Sequence, residues 1–143
     1  NNTGVCLGMC KFIQKLFKEN DGIYRDPTKN EIKEILHFQR KKKRFHTKYL
    51  KICKNSNELF KKIVSLLPED TPIIFSISIA KNNINKWRNS VHGSHALLFC
   101  KKQDSFHFFD PNDFWIKINN IDDLEKWFVK NYKPYNCYHI RKY

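Results

Sequence analysis

Two short apolar runs separated by a polar turn constrain this chain most: Gly93-Ser94-His95-Ala96-Leu97-Leu98-Phe99 and Phe106-His107-Phe108-Phe109-Asp110-Pro111-Asn112. They read as the arms of a β-hairpin, in which residues i and i+2 share a face. A two-residue loop at Gln103-Asp104 sets the register, with Lys102 opposite Ser105 and Leu97 opposite Asp110. His95 and Asp110 are then diagonal neighbours on one side of the sheet, about 7–8 Å apart at the backbone and within reach of a hydrogen bond. A three-residue loop would put them on opposite faces. The pairing of imidazole and carboxylate is therefore a specific expectation of this register.

An imidazole held by a carboxylate needs a third group to act on, and the best candidate lies near the start of the chain. Val5, Met9, Phe12, Ile13, Leu16 and Phe17 have the spacing of a half-buried helix, ended by Asn20-Asp21-Gly22. Cys6 falls in its first turn, where backbone N–H groups lack helical partners and the helix dipole favours a thiolate. Cys10 lies one turn further in, so Cys6 is the better nucleophile.

The length of 143 residues suits one domain, and the 12 Phe, 6 Tyr and 3 Trp supply a core. The net charge of +13 favours acidic partners: an anionic membrane face, nucleic acid or an acidic protein. Five cysteines, an odd number with no CxxC pair, exclude a disulfide scaffold or zinc ribbon and suit a reducing compartment. A zinc site from Cys6, Cys10 and two histidines has the wrong spacing, so neither metal nor cofactor is expected. The longest apolar run, from Ile73 to Ala80, is too short to span a bilayer, and no signal peptide is visible.

Asp26-Pro27-Thr28 opens a second helical stretch, expected from about Lys29 to Lys54. It contains the basic run Arg40-Lys41-Lys42-Lys43-Arg44, either a phosphate-binding or targeting segment or simply a solvated face. Ser56 or Asn57 caps a third helix reaching Leu66-Leu67. Ile73 to Ile79 is β-branched and reads as a strand. Lys81 to His92 is a polar loop around Trp87, long enough to act as a flap, with His92 ahead of the next strand. Trp115 to Ile118 forms a further strand, Ile121 to Tyr132 a helix, and Tyr135 to Tyr143 a last strand. His107 alternates away from Asp110, and Cys53, Cys100 and Cys137 read as buried small residues. This order of helices, then strands with one late helix, is α+β, with N-terminal helices packed on an antiparallel sheet.

A thiolate attacks carbonyl carbon but needs a base to form it and an acid to protonate the leaving group. His95 serves as both, and Asp110 fixes its tautomer and stabilises the imidazolium. The oxyanion needs fixed donors. The Cys6 backbone N–H is one, and the side-chain amide of Asn1 or Asn2 is available as the other.

Gly4-Val5-Cys6-Leu7-Gly8, a histidine opening a strand, and then Phe-Phe-Asp-Pro-Asn at positions 108–112 resemble the YopT-type cysteine peptidases of bacterial effectors and toxins. The resemblance implies a papain-like fold, with Cys6 as nucleophile, His95 as general base and acid, Asp110 as its orienting partner and Asn1 in the oxyanion hole. Lys11 in the first helix departs from the expected pattern. The short segment between Cys6 and His95 fits a minimal catalytic core.

The implied activity is a thiol protease that cleaves a host protein, a lipid-modified or membrane-associated one in some members, or its own precursor. The implied location is a host cell's cytosol after secretion. Related toxin domains use the same residue set as acyltransferases that modify lysines, so that reading stays open. A third reading is a non-catalytic basic module binding nucleic acid or an anionic membrane. Among partners, a protein substrate is expected first, an anionic membrane surface is kept open, and nucleic acid is disfavoured.

Overall fold

A computed structural model describes residues 6–20, 25–40, 47–80, 91–112 and 114–141. Among these residues are four helices and one six-stranded antiparallel sheet. Helix α1 (Cys6–Asn20) buries Leu7, Cys10, Ile13 and Leu16, a three-to-four-residue spacing that turns Lys15 and Lys18 outward. Helix α2 (Lys29–Arg40) starts in a capping box. The Glu31 N–H donates to Thr28 Oγ1 at 3.2 Å, and the Thr28 N–H donates to Glu31 Oε1 at 2.9 Å. Arg25 clamps the same carboxylate through two bonds of 2.6 and 2.8 Å. Where α2 crosses α1, Gly8 lets the backbones approach; a Cβ there would stand 2.4 Å from the Ile35 carbonyl oxygen.

The strands are β1 (Thr47–Ile52), β2 (Ile73–Ala80), β3 (Val91–Lys102), β4 (Ser105–Asp110), β5 (Phe114–Ile118) and β6 (Cys137–Arg141), in the sheet order β1-β6-β2-β3-β4-β5. Between β1 and β2, helix α3 (Ser56–Ser65) is capped by Asn55, whose side chain accepts the Glu58 N–H at 2.9 Å. Helix α4 (Ile121–Asn131) is capped by Asn120.

Helices cover both faces of the sheet. On one face α1 and Ile35 of α2 pack against Ile74, Ala96, Leu98, Cys100 and Phe109. On the other, Leu59, Phe60 and Ile63 of α3 and Leu124 and Phe128 of α4 pack against Phe75, Leu97, Phe99 and Phe108. Burial on both sides explains why β3 reads Ala-Leu-Leu-Phe-Cys without polar alternation.

Four expectations need correction or delimitation. The cap of α3 is Asn55, one residue ahead of the expected Ser56 or Asn57, because its side chain is the one that reaches the Glu58 N–H. The helix expected to reach Lys54 ends at Arg40, and Thr47–Ile52 is instead the edge strand β1. It is held by β6, with Leu50 opposite His139 and Ile52 opposite Cys137, so distant pairing outweighs the local helical pattern. His92 is not ahead of its strand: β3 begins at Val91, and His92 pairs with Ile79 of β2. The remainder of the expected flap, including Trp87, and Lys41–Arg44 of the basic run lie outside the described residues.

Candidate active site

The β3–β4 hairpin has the two-residue turn, pairing Lys102 with Ser105 and running to Leu98 opposite Phe109. β3 continues past the end of β4, so His95 lies beyond the last pair of that ladder. On its other side β3 is bulged: between Ile77–His95 and Ile79–His92, β3 spends one more residue than β2. Such a bulge kinks and twists the strand locally, a common means of aiming a side chain. The His95 ring is thus free of strand neighbours on the β4 side and meets Asp110 diagonally, with Nε2–H donating to Oδ1 at 2.8 Å. Both side chains are largely enclosed, at 13% and 6% exposure.

Asp110 is gripped from three directions. Pro111 turns the chain, and the Asn112 N–H folds back to Oδ1 at 2.9 Å, an Asx-type turn written by Asp-Pro-Asn. Tyr132, which caps the C-terminus of α4, donates its buried hydroxyl to Oδ2. Burial pulls the Asp110 pKa upward, but the bonds from His95, Tyr132 and Asn112 outweigh it and hold the carboxyl below its ordinary range.

Cys6 arrives from the opposite layer, carried on the first turn of α1, where that helix packs over Ala96 and Leu98. Its sulfur hydrogen-bonds with the His95 ring and with the backbone N–H groups of Ala96 and Leu7. Since Nε2 is engaged by Asp110, Nδ1 is the nitrogen left to face the sulfur. Burial alone would raise the thiol pKa; the His95 bond, the Ala96 N–H, the imidazolium charge and the Leu7 N–H together lower it. The ring responds in kind. Burial opposes its charge, yet the bonds to Asp110 and Cys6 raise its pKa from 6.5 to about 9. Both shifts act in the same direction, towards a thiolate beside an imidazolium.

The other thiols differ. Burial pushes Cys10 well above the ordinary range, helped by the neighbouring charges of Cys6 and Asp110. Burial likewise raises Cys53 and Cys137 and takes Cys100 to about 11. All five cysteines are free and buried, so what distinguishes Cys6 is its partners.

The structure thus brings Cys6, His95 and Asp110 together. Asn1, expected in the oxyanion hole, lies outside the described residues. His107 faces away from Asp110 and packs edge-on against Phe17, with ring centroids 5.3 Å apart. Sequence reasoning missed Tyr132 and the N–H groups of Ala96 and Asn112. The Asn112 contact was available in the Asp-Pro-Asn turn. Tyr132 carried only the general signal that a buried tyrosine needs a partner for its hydroxyl. Among the described residues no group of three His, Cys, Asp or Glu is placed to hold a metal ion, and no helix is long and apolar enough to cross a membrane. No protein-family model matches the chain, and no curated protein matches it significantly.

Proposed function

We propose that the chain is a papain-like thiol protease acting through Cys6, His95 and Asp110. The observation that carries this reading is the continuous line of hydrogen bonds from the Cys6 sulfur through the His95 ring to the Asp110 carboxylate. In the first half-reaction the Cys6 thiolate attacks a peptide carbonyl carbon. His95 then passes its proton to the departing amine, leaving a thioester on Cys6. In the second, His95 takes a proton from water, whose oxygen attacks the thioester, and Cys6 leaves as the thiolate. Asp110 keeps its charge throughout and holds the imidazolium. The Cys6 N–H, with the Asn1 amide as second donor, serves the oxyanion.

The motif resemblance to YopT-type effectors points to a protein substrate inside a host cell, reached after secretion. Acyl transfer to lysine also passes through a thioester on Cys6, but that thioester is loaded from an activated acyl donor, whose thiol leaves, and is then attacked by a lysine amine instead of water. The test is a proteome-derived library incubated with the wild type and with Cys6→Ala, each with and without a fatty acyl thioester as acyl donor. A protease yields new amino termini with the wild type alone. Cutting that persists in Cys6→Ala overturns the assignment, and acyl mass on intact chains transfers it to the acyltransferase class.

A further inference from the structure

On the face of β4 turned away from Asp110, Ser105 and His107 follow each other at strand spacing. Across the ladders, Lys102 stands opposite Ser105 and Lys117 opposite His107. The sheet therefore sets two ammonium groups around one imidazole at the mouth of a cavity of about 490 Å³. Phe17 of α1 packs beneath two of these groups. Its ring meets His107 edge-on at 5.3 Å and lies 5.8 Å below the Lys102 Nζ.

The carboxylates at this mouth are Asp70 and Asp104. Asp70 approaches Lys102 only to 3.5 Å and its side chain is 71% exposed. Asp104 belongs to the exposed hairpin turn. Such solvated pairs neutralise little charge. His107 is 9% exposed, and its Nδ1 is buried without a hydrogen-bond partner. Burial and then the charges of Lys117 and Lys102 hold the ring below its ordinary pKa. Two ammonium groups set beside this imidazole make the depression a favourable place for an anion.

We propose that this cavity binds the phosphoryl group of a phosphomonoester, with Lys102 and Lys117 as its cationic donors and His107 as the third. A phosphomonoester dianion brings two negative charges and three terminal oxygens, and so complements two ammonium groups and an imidazole better than a singly charged halide or carboxylate. The depression is open to solvent, so the organic part can extend outward from the phosphoryl group. The site is separate from the thiol: His107 and Asp110 lie on opposite faces of β4, about 10 Å apart along the strand. It stands or falls independently of the protease reading.

The same headgroup chemistry occurs in soluble metabolites and in lipids, so the test has two arms: glycerol 3-phosphate in solution and vesicles containing phosphatidate. His107 is followed by its imidazole proton resonance, assigned by its loss in His107→Gln. A saturable downfield shift is expected as anion binding draws a proton onto the ring, with no equivalent shift in sodium chloride of matched ionic strength. Lys102→Gln with Lys117→Gln, both at accessible positions, weakens binding at least about tenfold while the circular dichroism spectrum is retained. Cys6→Ala binds like the wild type. Binding in the soluble arm names a metabolite ligand, and binding to vesicles alone names a lipid headgroup. A response no greater than chloride produces in both arms, or unchanged affinity in the double-lysine variant, overturns the proposal.

Discussion

Replacing Asp110 by Asn tests whether the carboxylate, rather than mere packing, sets the state of Cys6. The amide keeps the shape and removes one charge; its single oxygen still accepts the Asn112 N–H, while its NH2 takes the place of the oxygen that Tyr132 reached and donates to that hydroxyl instead. The rise of His95 from 6.5 to about 9 is worth about 3 kcal/mol in favour of the imidazolium. The Asp110 hydrogen bond leads the contributions that raise it, with the Cys6 bond next, while burial opposes both. Removing the carboxylate therefore forfeits at least about half of that preference, and burial then drives the ring towards its neutral form. Because Cys6 owes its lowered pKa to the imidazolium, its thiolate fraction falls in step. We expect iodoacetamide labelling of Cys6 at about pH 6, read by peptide mapping, to slow about ten- to a hundredfold. In the wild type Cys6 alone is labelled at that pH; a thiol such as Cys100, with a pKa of about 11, is ionised there to about one part in a hundred thousand. The sign extends to turnover. On the proposed protease reading, the thiolate is present above the lowered pKa of Cys6 and the proton for the leaving group below about 9, so a bell-shaped profile with its alkaline limb near 9 is expected of the wild type. In Asp110→Asn that limb moves to lower pH. Labelling within about twofold of wild type, in a variant whose circular dichroism and melting are unchanged, would refute the electrostatic account.

Tyr132→Phe removes one of three donors to Asp110 without removing the ring packing, so it raises the carboxyl pKa rather than opening the core. Near neutral pH the carboxylate stays ionised and Cys6 labelling is expected to hold, whereas on the acidic side labelling is expected to fall off at higher pH than in the wild type; a variant that only loses melting temperature argues for a purely structural hydroxyl. Gly8→Ala sets a Cβ 2.4 Å from a backbone oxygen of α2, and backbone yields poorly. It should cost about 1–3 kcal/mol and about 5 °C of melting temperature, measured by scanning calorimetry, whereas an unchanged melting point would mean the α1–α2 crossing is loose.

The site was legible because its geometry is a matter of parity. A strand alternates strictly, a two-residue turn fixes which residues face each other, and together they put His95 and Asp110 on one side before any coordinates. The meeting with Cys6 was legible only as chemistry, since no local rule tells which layer α1 will occupy. The edge strand β1 failed for the complementary reason. Thr47-Lys-Tyr-Leu-Lys-Ile mixes apolar and lysine residues at spacings that fit either period, and it continues a helical, basic stretch without Gly or Pro. What decides its state is β6, some ninety residues later in the sequence, whose other edge pairs with β2 and whose outer edge would otherwise present unpaired N–H and C=O groups. Tyr132 is invisible on the same grounds: its partner is 22 residues away and on another element. The pattern implies a division of labour. Nearest-neighbour sequence fixes the imidazole–carboxylate pair, whereas tertiary packing supplies the helix terminus and the tyrosine hydroxyl that give the pair its charge state. A loss of α1 docking should therefore silence Cys6 while leaving the His95–Asp110 bond in place.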